Sequence, residues 1–414
     1  MVQMPSTKLF GAVSGSLSGM KRVSKGIVLL VLASWFIPHA VVGAVIDQLI
    51  DKSNYLASTF CRQGFVEYST RNLMVSAPSS LVAVGVISAG GSQRMKSDIY
   101  APLGMSKIRT SDFLRGVALL HSVLNDSTSD VTMKTAVSVW ASKQKSVSDG
   151  YEKLVNDYFD VETFQGAIGG RDSPIKFQKW SQTHLDRSFK DVAWLTSSTN
   201  SVVVVDGLLF RGEWSNGFSP SKSDDRFFML PDGSVKRTPF MINRAKYQYA
   251  ETPTVQAVVL PYGDGRFEMV LVMPRRWDSS VIDWVEQPPV PFYDANVNVV
   301  MPKFSIFSGC SSRLRKIRSD IRATVMDRAE FPIIGDSFAV SDWIQYIGFD
   351  VNERGKPSSL GGGDNDKLPS CAILLNRPFV VAVRDTISGL IVLQGLIVNP
   401  EYKEVKNNDV TIKR

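Results

Sequence analysis

Residues 375–383 read Leu-Asn-Arg-Pro-Phe-Val-Val-Ala-Val: an amide and a cation, then a proline, then an unbroken apolar run. Phe379 to Val383 is a strand, and Leu390 to Val398 is a second one soon after it. Upstream, Val297 to Phe304 is another. Val255 to Pro261 and Phe267 to Met273 flank Tyr262-Gly263-Asp264-Gly265-Arg266, which predicts a hairpin with Asp-Gly in its turn. Ser201 to Phe210, SVVVVDGLLF, is β-branched without alternation, as expected of a strand buried on both faces.

Before about residue 195 the pattern is helical or mixed. Residues 45–62 put Ile46, Leu49, Ile50, Leu56 and Phe60 on one helical face, and Ser79 to Ser88, after Pro78, predicts a buried helix. Helices gather in the first half and strands in the second. That order predicts an α+β architecture rather than repeated βαβ units.

Composition narrows the function classes. The apolar fraction of 44 % and charged fraction of 21 % belong to an ordinary globular chain. The net charge of +7 includes Lys8, Lys21, Arg22 and Lys25 from a segment without acids; beyond residue 44 it falls to +3. No concentrated basic stripe suits nucleic acid or a membrane surface. Cys61, Cys310 and Cys371 are too few and scattered for a disulfide framework or zinc cluster; at most one pair could form, and which one stays open. His39, His121 and His184 have no partners nearby in sequence. No Gly-x-Ser-x-Gly elbow, His-Glu-x-x-His or phosphate loop is present, so the sequence predicts neither an enzyme nor a cofactor or metal site.

Residues 1–25 are basic and acid-free. Gly26 to Ile37, GIVLLVLASWFI, is a short apolar run that Pro38 ends, and Val42-Gly43-Ala44 offers small residues for cleavage. This is the pattern of a secretory signal, with residues 1–44 removed and an extracellular product. An uncleaved anchor, helped by Ala40 to Ile46, and a buried helix are the rival readings; the run is shorter than the roughly 20 residues a span needs. Asn125-Asp126-Ser127 is a glycosylation sequon, which fits secretion.

Several motifs stand in a fixed order. Asn72 with Ser76, Pro78 and Ser79 comes first, then Phe210-Arg211-Gly212-Glu213-Trp214 with Phe218. Asp232-Gly233, Pro239-Phe240-Met241, Val259-Leu260-Pro261-Tyr262 and Met273-Pro274 follow, then Met301-Pro302-Lys303-Phe304, and last Asn376-Arg377-Pro378-Phe379 with Gly389, Gly395 and Asn399-Pro400. In that order they resemble the serpin family, although residues 95–175 match only loosely. The resemblance implies one domain over residues 45–400, with three β-sheets, about nine helices and an exposed reactive-centre loop over 356–375, followed by a polar tail, 401–414. It also implies a monomer whose partner is a serine endopeptidase. The peptidase cleaves the loop and is trapped as an acyl-enzyme while the freed strand enters the central sheet.

Val340 to Gly355 aligns with the strand and turn before the hinge, and Glu353 and Gly355 match its Glu-x-Gly. Ser76, Ser79, Asp206, Trp214 and Gln345 fall at the family's shutter and breach positions. Asp206 stands where the family usually has Asn and Gln345 where it has His, a pair that could still share a hydrogen bond.

Beyond Gly355 the chain departs from the family, reading Lys356-Pro357-Ser358-Ser359-Leu360-Gly361-Gly362-Gly363 where inhibitors carry Thr or Ser, an acid and small residues. Inserting alternate residues would bury a cation, lose the hydrogen bond a proline cannot donate, and order three glycines. Counting back from Asn376 puts the scissile bond at Lys367-Leu368, a lysine for a trypsin-like peptidase; counting forward from Gly355 gives Pro369-Ser370. Trapping and a non-inhibitory role as carrier, chaperone or decoy are both open at this point.

Overall fold

The computed structural model describes residues 39–67, 70–142, 147–168, 170–187, 189, 202–310, 340–355 and 370–403. Six α-helices and two short 3-10 helices lie among them, beside the nine or so helices expected. Helix α1 (His39–Glu67) runs through Ala44 and Val45 and turns Leu49, Ala57, Phe60 and Cys61 into the core. Among the described residues no helix is long and apolar enough to cross a membrane.

Helix α2 (Ala77–Gly90) is buried along its whole length, as a helix apolar on every side must be. Its start is fixed locally: Ser76 accepts a hydrogen bond from the Ser79 amide at 3.3 Å, and Pro78 lies in the first turn. Helices α3 (Gln93–Tyr100), α4 (Thr110–Val123), α5 (Asp149–Phe159) and α6 (Ser173–His184) complete the set.

One sheet has five strands in the order β10 (Phe304–Cys310), β11 (Val340–Val351), β4 (Val202–Gly212), β2 (Val131–Ser142), β3 (Glu162–Ile168). Its central pair, β11 and β4, is parallel from Val340↔Val202 to Phe349↔Phe210. Strands β2 and β3 arise in the half of the chain read as helical or mixed. From Thr135 to Ser142, β2 is buried on both faces, which erases the alternation that would have marked it. Helix α6 covers one face of this sheet through a small core of Trp140, Phe177, Trp180, Phe189 and Tyr346. The main core lies on the other side, around α2.

The second sheet runs β1 (Leu73–Val75), β14 (Ile391–Ile397), β13 (Phe379–Asp385), β8 (Phe267–Pro274), β7 (Val255–Tyr262), β6 (Val235–Glu251), β9 (Tyr293–Pro302), β12 (Cys371–Leu374), with β5 (Asp224–Met229) also on β6. The expected β7–β8 hairpin is present, and Gly263 and Gly265 supply the positive φ values of 52° and 90° its turn requires. Strand β6 pairs with β5 from Val235 to Phe240, with β9 from Phe240 to Tyr249, and with β7 from Gln248 onward. Among the described residues the strands form two sheets where the resemblance implies three, because β6 joins β5, β9 and β7 in one hydrogen-bonded sheet. Asn72, just before β1, ties it to the end of β14 by accepting the Val398 and Asn399 amides at 3.0 and 2.8 Å.

Candidate functional site

After Val351, the chain leaves the five-stranded sheet by crossing to Trp214. The Trp214 amide donates to the Arg354 carbonyl at 3.0 Å, its indole Nε1 donates to the Asn352 carbonyl at 2.7 Å, and the Phe218 amide donates to the Glu353 carbonyl at 3.2 Å. Gly355 forms a bridge with Trp214. A Cβ there would lie 2.7 Å from the Gly217 Cα and from the Trp214 Cβ and carbonyl oxygen, so the exit accepts only glycine. The Trp214 ring is stacked on Tyr262 with centroids 4.3 Å apart, which gives the exit a rigid floor. The chain is next described at Ser370, whose amide donates to Asn296 at 3.0 Å as β12 joins β9 in the other sheet.

Glu353 anchors this exit. Its Oε1 accepts from Lys303 Nζ at 2.9 Å and from Ser223 Oγ at 2.7 Å. Burial works against the charge, but the bonds from Lys303 and Ser223 outweigh it and hold the carboxyl below the usual glutamate range. A depressed folded value means the stabilisation is complete above the unfolded value of about 4.3 and is lost as pH falls through the folded one. Glu353→Gln is therefore expected to be less stable than the parent near neutral pH, with the gap closing as pH falls through the depressed folded value. Denaturant titrations at a series of pH values check this; a gap that is constant across the range would count against it.

A polar cluster lies further down the same strand pair. Asp206 of β4 and Gln345 of β11 are register partners, and Gln345 Nε2 donates to Asp206 Oδ2 at 2.6 Å. The bond left open by the sequence is thus made. Ser79 Oγ donates to the same oxygen at 2.8 Å, and Trp343 Nε1 donates to Oδ1 at 2.5 Å. Gln345 reaches back to α2, with its Oε1 accepting the Ser76 amide at 3.1 Å and its Nε2 donating to the Ser76 carbonyl at 2.9 Å and to Ser80 Oγ at 3.0 Å. Ser76, Ser79, Asp206 and Gln345 are all at most 1 % exposed. The cluster pins β4, β11 and the start of α2 at one point, and a strand entering between β4 and β11 would have to divide it.

Trp343, Ser80, Ser223 and Lys303 belong to these two constellations and were not singled out from the sequence. Trp343 could have been found, because it lies two residues from Gln345 and so on the same face of a strand. Asn125 is exposed just past α4; its Nδ2 donates to the His121 carbonyl at 3.0 Å, and its Oδ1 accepts the Thr135 amide at 2.9 Å. Cys61 is a buried free thiol, and Cys371 a half-buried one. Lys356, Pro357, Lys367 and Leu368 lie outside the described residues.

The site is thus a parallel strand pair clasped by buried polar groups, with a glycine exit at one end. The family model described as Serpin (serine protease inhibitor) matches residues 51–400, and the chain belongs to that family. A "Serine protease inhibitor" of Cyanea capillata is 22 % identical over 370 residues, covering 84 % of this chain and 97 % of that relative. "Antitrypsin" of Bombyx mori is 22 % identical over 293 residues, 65 % of this chain and 74 % of the relative. Among solved structures, the Manduca sexta serine protease inhibitor serpin-12 superposes with a TM-score of 0.71 at 20 % identity, covering 84 % of this chain and 98 % of that one. Native protease nexin-1 with heparin gives a TM-score of 0.71 at 16 % identity, covering 86 % and 100 %.

Proposed function

We propose that this chain is a secreted, monomeric, non-catalytic serpin that presents residues 356–369 to a trypsin-like serine endopeptidase and traps it covalently. The observation that carries this reading is the direct parallel pairing of β11 with β4, beside a glycine exit seated on Trp214. A strand following β11 can turn at that exit and enter antiparallel to both neighbours. In the trap, the peptidase serine attacks the Lys367 carbonyl carbon, the bond to the Leu368 nitrogen breaks, and that nitrogen leaves as a protonated amine. Capture then depends on insertion outrunning hydrolysis of the acyl ester. Secretion is supported by the basic, acid-free start and the apolar run to Ile37. Asn125 is the glycan acceptor this reading assigns.

Lys356 and Pro357 favour a second reading, a non-inhibitory serpin acting as carrier, chaperone or peptidase decoy. Residues 45–414 incubated with trypsin decide between the two on a denaturing gel. A band resistant to denaturation, at the summed mass less the released residues 368–414, is the expected result. Clean cleavage near Lys367 with full peptidase activity remaining would mean that the loop is only a substrate.

A further inference from the structure

The family match ends at Pro400, yet the chain continues against the sheet that holds the loop exit. The Ser305 amide of β10 donates to the Glu401 carbonyl at 2.8 Å. Lys236 of β6 reaches the same segment, donating to Asn399 Oδ1 at 2.8 Å and lying 3.5 Å from Glu401 Oε1. These contacts bring Tyr402 beside Lys303, whose Nζ sits 4.9 Å from the ring centroid. The same Nζ is the donor to Glu353. Lys303 is itself fixed at its root, in the link between β9 and β10, where its backbone N–H donates a hydrogen bond to the Pro239 carbonyl at 2.8 Å.

We infer that Tyr402 is a positioning residue for the loop exit: its ring holds the Lys303 ammonium on the Glu353 carboxylate and so couples the C-terminal segment to the hinge. A lysine carries four rotatable bonds, and a single bond to a carboxylate at a partly wet site leaves it many alternatives. A ring face against the ammonium removes most of them, and the attraction of a cation to that face does not depend on the phenol hydroxyl. Releasing the hinge from Trp214 then requires Glu353 either to abandon Lys303 or to draw it off Tyr402. The native exit works this way whether the loop traps a peptidase or is merely cut by one.

Amide hydrogen exchange at Trp214 and Phe218, whose N–H groups hold the carbonyls of Arg354 and Glu353, reads the opening of the exit directly. In the full chain, Tyr402→Ala is expected to speed exchange at both by about three-fold, the size of a partly exposed cation–π contact. The Glu353 carboxyl, followed by carbon-13 resonance against its contacts Lys303 and Ser223, should titrate about half a unit higher. Tyr402→Phe should match the parent, and Tyr402→Leu should match the alanine variant despite its apolar bulk. With Lys303→Met already in place, Tyr402→Ala should change nothing further. Unchanged exchange in Tyr402→Ala, recovery in Tyr402→Leu, loss in Tyr402→Phe, or an effect that persists without Lys303 would each overturn the assignment.

Discussion

Asp206→Ala is expected to cost about 3–5 kcal/mol of unfolding free energy, the range for removing one member of a buried polar constellation. The carboxylate is fully buried and receives Trp343, Ser79 and Gln345 on its two oxygens. Alanine leaves those donors facing a void, and each unsatisfied donor costs roughly 1–3 kcal/mol. The total stays below three full penalties, because Gln345 Nε2 also has the Ser76 carbonyl and Ser80 Oγ as acceptors. Asp206→Asn should cost less, about 1–2 kcal/mol, since one acceptor oxygen survives while the new amide hydrogens oppose existing donors. Denaturant midpoints with an unchanged slope give the comparison. Equal midpoints for alanine and parent would show that the cluster contributes nothing to holding β4 on β11.

The second large effect concerns partition rather than stability. Replacing Lys356 by Thr and Pro357 by Glu restores the family's usual start to the inserting strand. One change removes a cation that insertion would desolvate at a cost of several kcal/mol, and the other restores a ladder donor. Every 1.4 kcal/mol taken off the insertion barrier moves the ratio of trapped to hydrolysed acyl-enzyme tenfold. The double variant is thus expected to raise the ratio of covalent complex to cleaved product by about ten- to a hundred-fold. The yield of complex against cleaved product on a denaturing gel measures it. If the ratio does not move, these two residues are not the barrier to insertion.

What could be read without coordinates followed from local rules. The β4 run of four valines, the Asp-Gly hairpin between β7 and β8 and the apolar helix α2 each announce themselves through one short pattern. Strands β2 and β3 did not, because their pattern is set by layers supplied from residues far along the chain. At the site, Asp206 and Gln345 were legible as departures from a motif, and their mutual bond was foreseeable. Their partner Trp343 was within reach through its two-residue spacing to Gln345, but an indole in a buried strand is ordinarily read as packing alone. Lys303 and Ser223 were hidden for another reason. Their meaning lies in Glu353, which is 50 and 130 residues away from them respectively.

The pairing of β1 with β14 sets Leu73 against Leu396, and Asn72 binds the amides beside it. A ribosome adding about 5–20 residues per second takes on the order of tens of seconds to make the intervening chain. Throughout that interval β1 has no partner strand, and α2, apolar on every side, lacks part of the wall it packs against. The nascent segment around β1 and α2 must therefore be shielded from other chains until β14 emerges. Closure is a late event in biosynthesis, and a protein truncated before residue 391 would be a client for chaperones rather than a smaller version of the same fold.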